Sequence, residues 1–315
     1  MGKVGVQGIC YDAGSSFLRG PAGAPGKIRE ALFSGAMNLY AENGTDHSKW
    51  LNDLGDFQIR DYLEIESLTL KHLERGEKLL TLGGDHSITY PILRALHSKY
   101  PVLDVLQIDA HPDLYDHYKG DPYSHACPFA RIMEEGLGNR LAQVGIRTLN
   151  AHQREQATRF GVEMHPMQNL PLTQPLRFSN PVYISLDMDA LDPAFAPGVS
   201  HREPGGLSTR QVISLLQNLE GEVVGADLVE YNPIQDPGGV TAFVAAKLLK
   251  AANSALYSGL HSVETTSAAV VGPGSGRGPL AAHPTDSTAI AQVGTVSANG
   301  DTERGGLIAS AMEKA

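Results

Sequence analysis

Only two cysteines, Cys10 and Cys127, occur in 315 residues. Thiols so far apart in sequence make neither a disulfide framework nor a zinc site of C-x-x-C spacing, and both read as core thiols. No apolar run approaches the roughly 20 residues of a membrane span, and Met1 to Tyr11 holds Lys3 and a short apolar stretch without the long hydrophobic region of a secretory signal. A cytoplasmic, reducing location is the resulting expectation, with no membrane as partner. Positive charge is also scarce: 25 Lys and Arg stand against 35 Asp and Glu, a formal charge of −10. That balance gives no general attraction to phosphate backbones, so nucleic acid is not an expected partner, while a cationic substrate or metal ions are compatible with it. The glycine pair Gly83–Gly84 lacks the lysine of a P-loop, and no internal repeat is visible.

What is present suits an ordinary soluble protein. Hydrophobic residues make up 42% and charged residues 19%, and 34 glycines suggest many tight strand-to-helix turns. Short β-branched runs alternate with amphipathic stretches. Val4 to Tyr11, Lys78 to Leu82, Leu103 to Ile108, Leu141 to Ile146, Val182 to Asp189 and Glu222 to Glu230 read as strands. Helices are expected over Gly26 to Phe33, Tyr62 to Arg75, Ile88 to Tyr100, Ala126 to Glu135, Ala151 to Phe160, Thr209 to Leu219 and Val240 to Tyr257. Strands such as VLDVLQI and VYISL are nearly continuous apolar runs, as expected where helices cover both faces of a parallel sheet. The fold class is therefore α/β, a three-layer α/β/α arrangement with a mostly parallel central sheet, and residues 1–257 are expected to form one domain. Beyond residue 257 the sequence becomes rich in Gly, Ser, Thr, Ala and Pro, so 258–315 is expected to be a flexible tail.

Ligands of open parallel sheets bind beyond the carboxyl ends of the strands, and the unusual residues lie there. Asp109, His111 and Asp113 fall at alternate positions in IDAHPD, directly after an apolar strand. If the backbone stays extended, all three side chains share one side, where two carboxylates repel unless protons or cations intervene. VYISL ends in Asp187, Met188 and Asp189. KLLTL ends in Gly83, Gly84, Asp85 and His86, where paired glycines permit a tight turn or a close backbone approach. Singly, each has a plain alternative: a strand-end Asp often caps the next helix, and a lone His is often a hydrogen-bonded core residue. Capping needs one acceptor per helix, however, and three strand ends supply six such residues. Four carboxylates and two neutral imidazoles, from His86, Asp109, His111, Asp113, Asp187 and Asp189, match the charge of two divalent ions. An oxygen-rich set without thiolate suits manganese first, with nickel, cobalt or iron after it.

The segments GGDHS, DAHPD, SLDMDALDP and GADLVEYNP resemble the arginase and agmatinase, or ureohydrolase, superfamily. The resemblance runs in order from about Gly5 to Ala255, and IDAHPDLYD, YSHACPFARIME and DPAFAPGVSHREPGGLS look most like plant-type arginases. It implies an arginase-like fold, with one metal held by His86, Asp109, Asp113 and Asp187 and the other by His111, Asp109, Asp187 and Asp189. It further implies a hydroxide between the ions that attacks a guanidinium carbon. Asp113 would hand its proton to the departing amine, His125 would shuttle protons to solvent, and Glu230 would bind the substrate guanidinium. The implied substrate is a small guanidino cation, first arginine, with agmatine, guanidinobutyrate or guanidine as alternatives. LYDHYKGDPY does not reproduce the head-group loop of animal arginases. The implied assembly is a homo-oligomer, a trimer or hexamer.

His201 and Arg202 lie where a strand-end loop borders the substrate entrance or a neighbouring subunit, and His201 is a candidate for substrate binding. A deacetylase-like single-zinc hydrolase is disfavoured, because no His–His dipeptide is present and Asp113 and Asp189 complete a second metal site. A non-catalytic metal-binding assembly protein is the remaining alternative, against which every implied position is filled.

Overall fold

The computed structural model describes residues 4–49 and 51–261. The strands are β1 (Val4–Cys10), β2 (Leu51–Gln58), β3 (Lys78–Leu82), β4 (Asp104–Ile108), β5 (Arg140–Val144), β6 (Glu163–His165), β7 (Val182–Asp187) and β8 (Val223–Val229). They form one sheet in the order β2-β1-β3-β8-β7-β4-β5-β6, and every pairing is parallel. The intervening helices are α1 (Ala24–Leu32), α2 (Glu64–Glu74), α3 (Thr89–His97), α4 (Pro128–Glu134), α5 (Ala151–Phe160), α6 (Thr209–Gln217) and α7 (Val240–His261).

Alternation along the strands creates two cores. Leu80, Leu82, Leu106, Ile108, Ile184 and Leu228 face one side and pack with Ile28, Val212 and Leu249 of α1, α6 and α7. Leu79, Val105, Leu141, Tyr183 and Val224 face the other and pack with Ile65, Leu93 and Phe129 of α2, α3 and α4. Two helix starts show their local cause: Asn150 accepts from the Gln153 N–H at 2.9 Å, and Ser208 forms a capping box with Gln211. The three expected layers are present.

The chain order breaks where it matters. β4 follows β3 in sequence, yet β8 and β7 lie between them. The carboxyl ends of β3, β8, β7 and β4 therefore stand side by side at a switch point, the place where a ligand crevice opens in such sheets.

Two strands escaped the sequence pattern. β2 is an edge strand whose residues are half-buried or exposed, with Asn52, Asp53, Gly55 and Asp56 within it, and β6 is a three-residue edge strand. Edge strands need no continuous apolar run. The expected strand Val182 to Asp189 stops at Asp187, where a 3-10 turn over Met188–Ala190 begins. Helix α7 runs to His261, and the remainder of the segment expected to be a tail lies outside the described residues.

The central strands are also less uniformly apolar than they read. Gln7, Thr81, Asp227, Ser185, Gln107 and Gln143 are register partners on β1, β3, β8, β7, β4 and β5, so one polar row crosses six strands on the α2–α4 face. All six are fully buried. Hydrogen bonds within the row join Gln7 Nε2 to Thr81 Oγ1 (2.9 Å), Ser185 Oγ to Asp227 Oδ1 (2.7 Å) and Gln143 Nε2 to Gln107 Oε1 (2.5 Å).

Candidate metal centre and substrate cleft

One local device recurs at three strand ends. Asp85 accepts from the Ser87 N–H at 3.1 Å, Asp109 from the His111 N–H at 2.7 Å, and Asp187 from the Asp189 N–H at 2.7 Å. Each carboxylate turns its own chain two residues on, as Asp side chains do in Asx turns. After Asp109 and Asp187 the backbone therefore bends instead of continuing as strand, and Asp113 lies at φ 50. The side chains of Asp109, His111 and Asp113 do meet, but through this bend and not through extended alternation. Gly84 supplies the close approach: a Cβ there would lie 1.6 Å from the Tyr11 carbonyl oxygen.

His86 Nδ1 sits 3.1 Å from one oxygen each of Asp109, Asp113 and Asp187. The nitrogen is buried and makes no well-formed hydrogen bond. Its tautomer follows from the other ring nitrogen. Ser185 Oγ donates to Asp227, so it accepts from His86 Nε2–H at 2.9 Å, and Nδ1 faces the three carboxylates, which favour a proton there when no cation is bound and would leave its lone pair to a cation once one is. A lone pair and three anions around one point suit a cation, and ligand atoms roughly 2.0–2.2 Å from one ion stand about 3 Å apart. A second group joins His111 Nδ1 to Asp189 Oδ2 at 3.2 Å and Asp109 Oδ1 at 3.6 Å. Asp109 belongs to both groups; Asp187 approaches the first and is absent from the second.

Charge crowding is evident from the protonation equilibria. Burial, then the neighbouring Asp189 and Asp109, hold the Asp187 carboxyl well above its ordinary value. Burial opposes charge on His111, yet Asp189 and Asp109 outweigh it and push the imidazole up to about 12. Without cations, protons must neutralise this cluster.

Glu230 follows β8 in a left-handed conformation, φ 63, and is 3% exposed, which excludes a surface role. Its Oε1 accepts from the His86 N–H at 2.9 Å and from His125 Nδ1 at 2.7 Å. Burial opposes the positive charge of His125, but Glu230 outweighs it and lifts the imidazole to about 9. His125 Nε2 meets Ser16 Oγ at 2.8 Å. A cleft of about 180 Å³ is lined by His111, Asp113, Asp187, Asp189, His125 and Glu230, and also by Ser16, Tyr115, Tyr118, Thr148, Gln153 and His201. His201 faces this space, its ring 5.3 Å from that of His125 and 5.8 Å from that of His111. Arg202 turns away, to the Pro197 and Gln235 carbonyls.

Ser185, Asp227, Gln107 and Gln143, which lie behind the ligand-type residues, were not singled out in the sequence. Their signal was one polar residue inside each buried strand, two positions before Asp109 and Asp187 in the cases of Gln107 and Ser185.

Residues 2–253 match the family model of the Arginase family. Arginase 1, mitochondrial, of Arabidopsis thaliana is 48% identical over 267 residues, covering 77% of this chain and 78% of that protein. Arginase 2, chloroplastic/mitochondrial, of the same plant is 46% identical over 270 residues, covering 77% of each. Among solved structures, the arginase from Medicago truncatula superposes with a TM-score of 0.78 at 41% identity, covering 81% of this chain and 87% of that one. The organelles in these relatives' names overturn the expectation of a cytoplasmic chain. A scarcity of cysteine argues only against a disulfide framework and does not separate the cytoplasm from the interior of an organelle. The matched motifs, the fold and the gathered Asp and His side chains agree, and the chain belongs to the arginase family of metal-dependent ureohydrolases.

Proposed function

We propose that this enzyme is an arginase, hydrolysing L-arginine to ornithine and urea. The observation that carries the reading is the convergence of three carboxylates on His86 Nδ1 beside the buried Glu230. His86, Asp109, Asp113 and Asp187 would hold one divalent ion, and His111, Asp109, Asp187 and Asp189 the other. Manganese suits this oxygen-rich, thiolate-free set best, followed by nickel and cobalt. Bound there, two dications supply a water activated near neutral pH and neutralise the carboxylates.

The protein's own groups do the rest. Glu230 Oε1 is committed to His86 and His125, which leaves Oε2 to accept N–H groups of a planar guanidinium in the cleft. Asp113, which lines the cleft, would take the proton released as the water attacks and deliver it to the departing amine. His125, protonated below about pH 9, exchanges protons through Nε2 toward half-buried Ser16. His201, at the cleft wall, would contact the substrate beyond its guanidinium. A trimer or hexamer is the proposed assembly; exposed Ile234, Val240 and Phe243 are apolar surface that such an interface would cover.

A specific feature favours agmatine as the second substrate: among the described residues, neither lysine nor arginine lines the cleft to meet an α-carboxylate. Urea release from arginine, agmatine, guanidinobutyrate and guanidine by protein reconstituted with manganese or with nickel tests substrate and metal together. Preference for arginine with manganese supports the arginase reading. Preference for agmatine moves the specificity, and silence on all four refutes the proposal.

A further inference from the structure

Gln107 and Gln143 are a directed pair. Gln143 Nε2 donates to Gln107 Oε1 at 2.5 Å and to the Pro112 carbonyl at 2.7 Å. Gln107 Nε2 donates to Asp109 Oδ2 at 2.6 Å and to the His111 carbonyl at 2.9 Å. Both residues are 0% exposed. Carboxamide orientation is commonly ambiguous, but here it is fixed by the receiving ends. A carboxylate and two carbonyls accept only, so both NH2 groups must point toward the 109–113 loop and Gln107 Oε1 must face Gln143. Gln143 Oε1 is left buried without a partner, and turning that amide over would instead set it against the Pro112 carbonyl.

Burying an amide acceptor unpaired is costly, but Gln7 Oε1 in the same row carries that cost too, so what sets Gln107 and Gln143 apart is where their donors go. Three of their four amide N–H donors reach the 109–113 loop, and the fourth joins the two glutamines. The receiving groups are informative: Asp109 is the residue common to both ligand groups, and the two carbonyls belong to His111 and to Pro112, which precedes Asp113. From these contacts we infer that Gln107 and Gln143 are positioning residues for the metal loop, orienting the shared carboxylate of Asp109 and holding His111 and Asp113 in register with it. The inference rests on the two-metal reading of the site. It differs from packing because the same polar row contains Gln7, whose amide donates to Thr81 and, among the described residues, to no ligand-type residue.

The test compares full-length Gln107→Met, Gln143→Met and Gln7→Met, each unbranched and lacking amide donors. Metal-free protein is titrated calorimetrically with Mn2+, apo melting temperatures are recorded, and urea release is measured at saturating Mn2+. Ligand-supporting residues typically contribute 10–100-fold to metal affinity. The expected result is about 10–100-fold weaker Mn2+ binding for Gln107→Met, a smaller loss for Gln143→Met and wild-type affinity for Gln7→Met, with kcat of the first two largely recovered at saturating metal. Unchanged affinity in folded Gln107→Met and Gln143→Met overturns the inference, as does an equal loss in Gln7→Met. If Gln107→Met fails to fold, Gln143→Met against Gln7→Met decides. Wild-type protein that binds no Mn2+ instead refutes the metal reading itself.

Discussion

Glu230 holds His125 at 2.7 Å while its same oxygen accepts the backbone N–H of His86, so one buried carboxylate ties the His125 ring to the His86 backbone. Each partner shifts the other: burial opposes charge on both, yet Glu230 is lowered and His125 raised to about 9. The pair's stabilisation is complete between the ordinary glutamate value of 4.5 and the ordinary histidine value of 6.5; it is lost as pH rises through about 9 and as pH falls through the lowered Glu230 value.

Glu230→Gln keeps the shape and removes the charge. A hydrogen bond to a charged group contributes about 1.5–3 kcal/mol, so kcat/KM for the guanidino substrate should fall roughly 10–150-fold. The His125 imidazole should titrate at lower pH, as read by NMR. Undiminished kcat/KM would remove Glu230 from guanidinium binding.

His47 gives an acid-side prediction away from the metals. It is fully buried, and its Nδ1 faces the Asn253 Nδ2 amide donor at 2.5 Å. Burial, then the Lys250 charge, lower its pKa from 6.5 to about 4. The unfolded chain therefore binds the extra proton first, and stability should be lost as pH falls from 6.5 toward 4 with a slope of about one proton. The difference in unfolding free energy between wild type and His47→Gln, measured across that range, should carry this slope; a flat difference contradicts it.

Gly84 is held against the Tyr11 carbonyl, where an added Cβ would come within 1.6 Å of the oxygen. Backbone cannot yield as a side-chain end does, so Gly84→Ala should cost at least about 3 kcal/mol and lower Mn2+ affinity through displacement of His86. Gly161→Ala, at φ 62 with nothing near its Cβ, is the control and should cost only about 1 kcal/mol of backbone strain. Equal denaturation midpoints for the two variants would refute the account of the Gly84 turn.

Much of this was legible in the residues. The six Asp and His ligand candidates stood at strand ends because parallel strands announce themselves as buried apolar runs, and the structure brings all six together at the carboxyl ends of β3, β7 and β4, with β8 between the first two. The mode of convergence was not legible, since alternation assumes extended chain while Asp109 and Asp187 bend it through their own carboxylates. The row from Gln7 to Gln143 was hidden for another reason: one polar residue in a strand reads as noise until strand register aligns six of them. The edge strands β2 and β6 lack the two-sided burial that makes a strand visible.

The measurement that tests the account most directly is a stoichiometric titration of metal-free protein with Mn2+, following urea release from L-arginine and bound metal together. The shared Asp109 and the paired ligand groups predict two ions per chain, with turnover rising as the second site fills. Full turnover at one ion per chain, or two ions bound without urea release from any guanidino substrate, would contradict it.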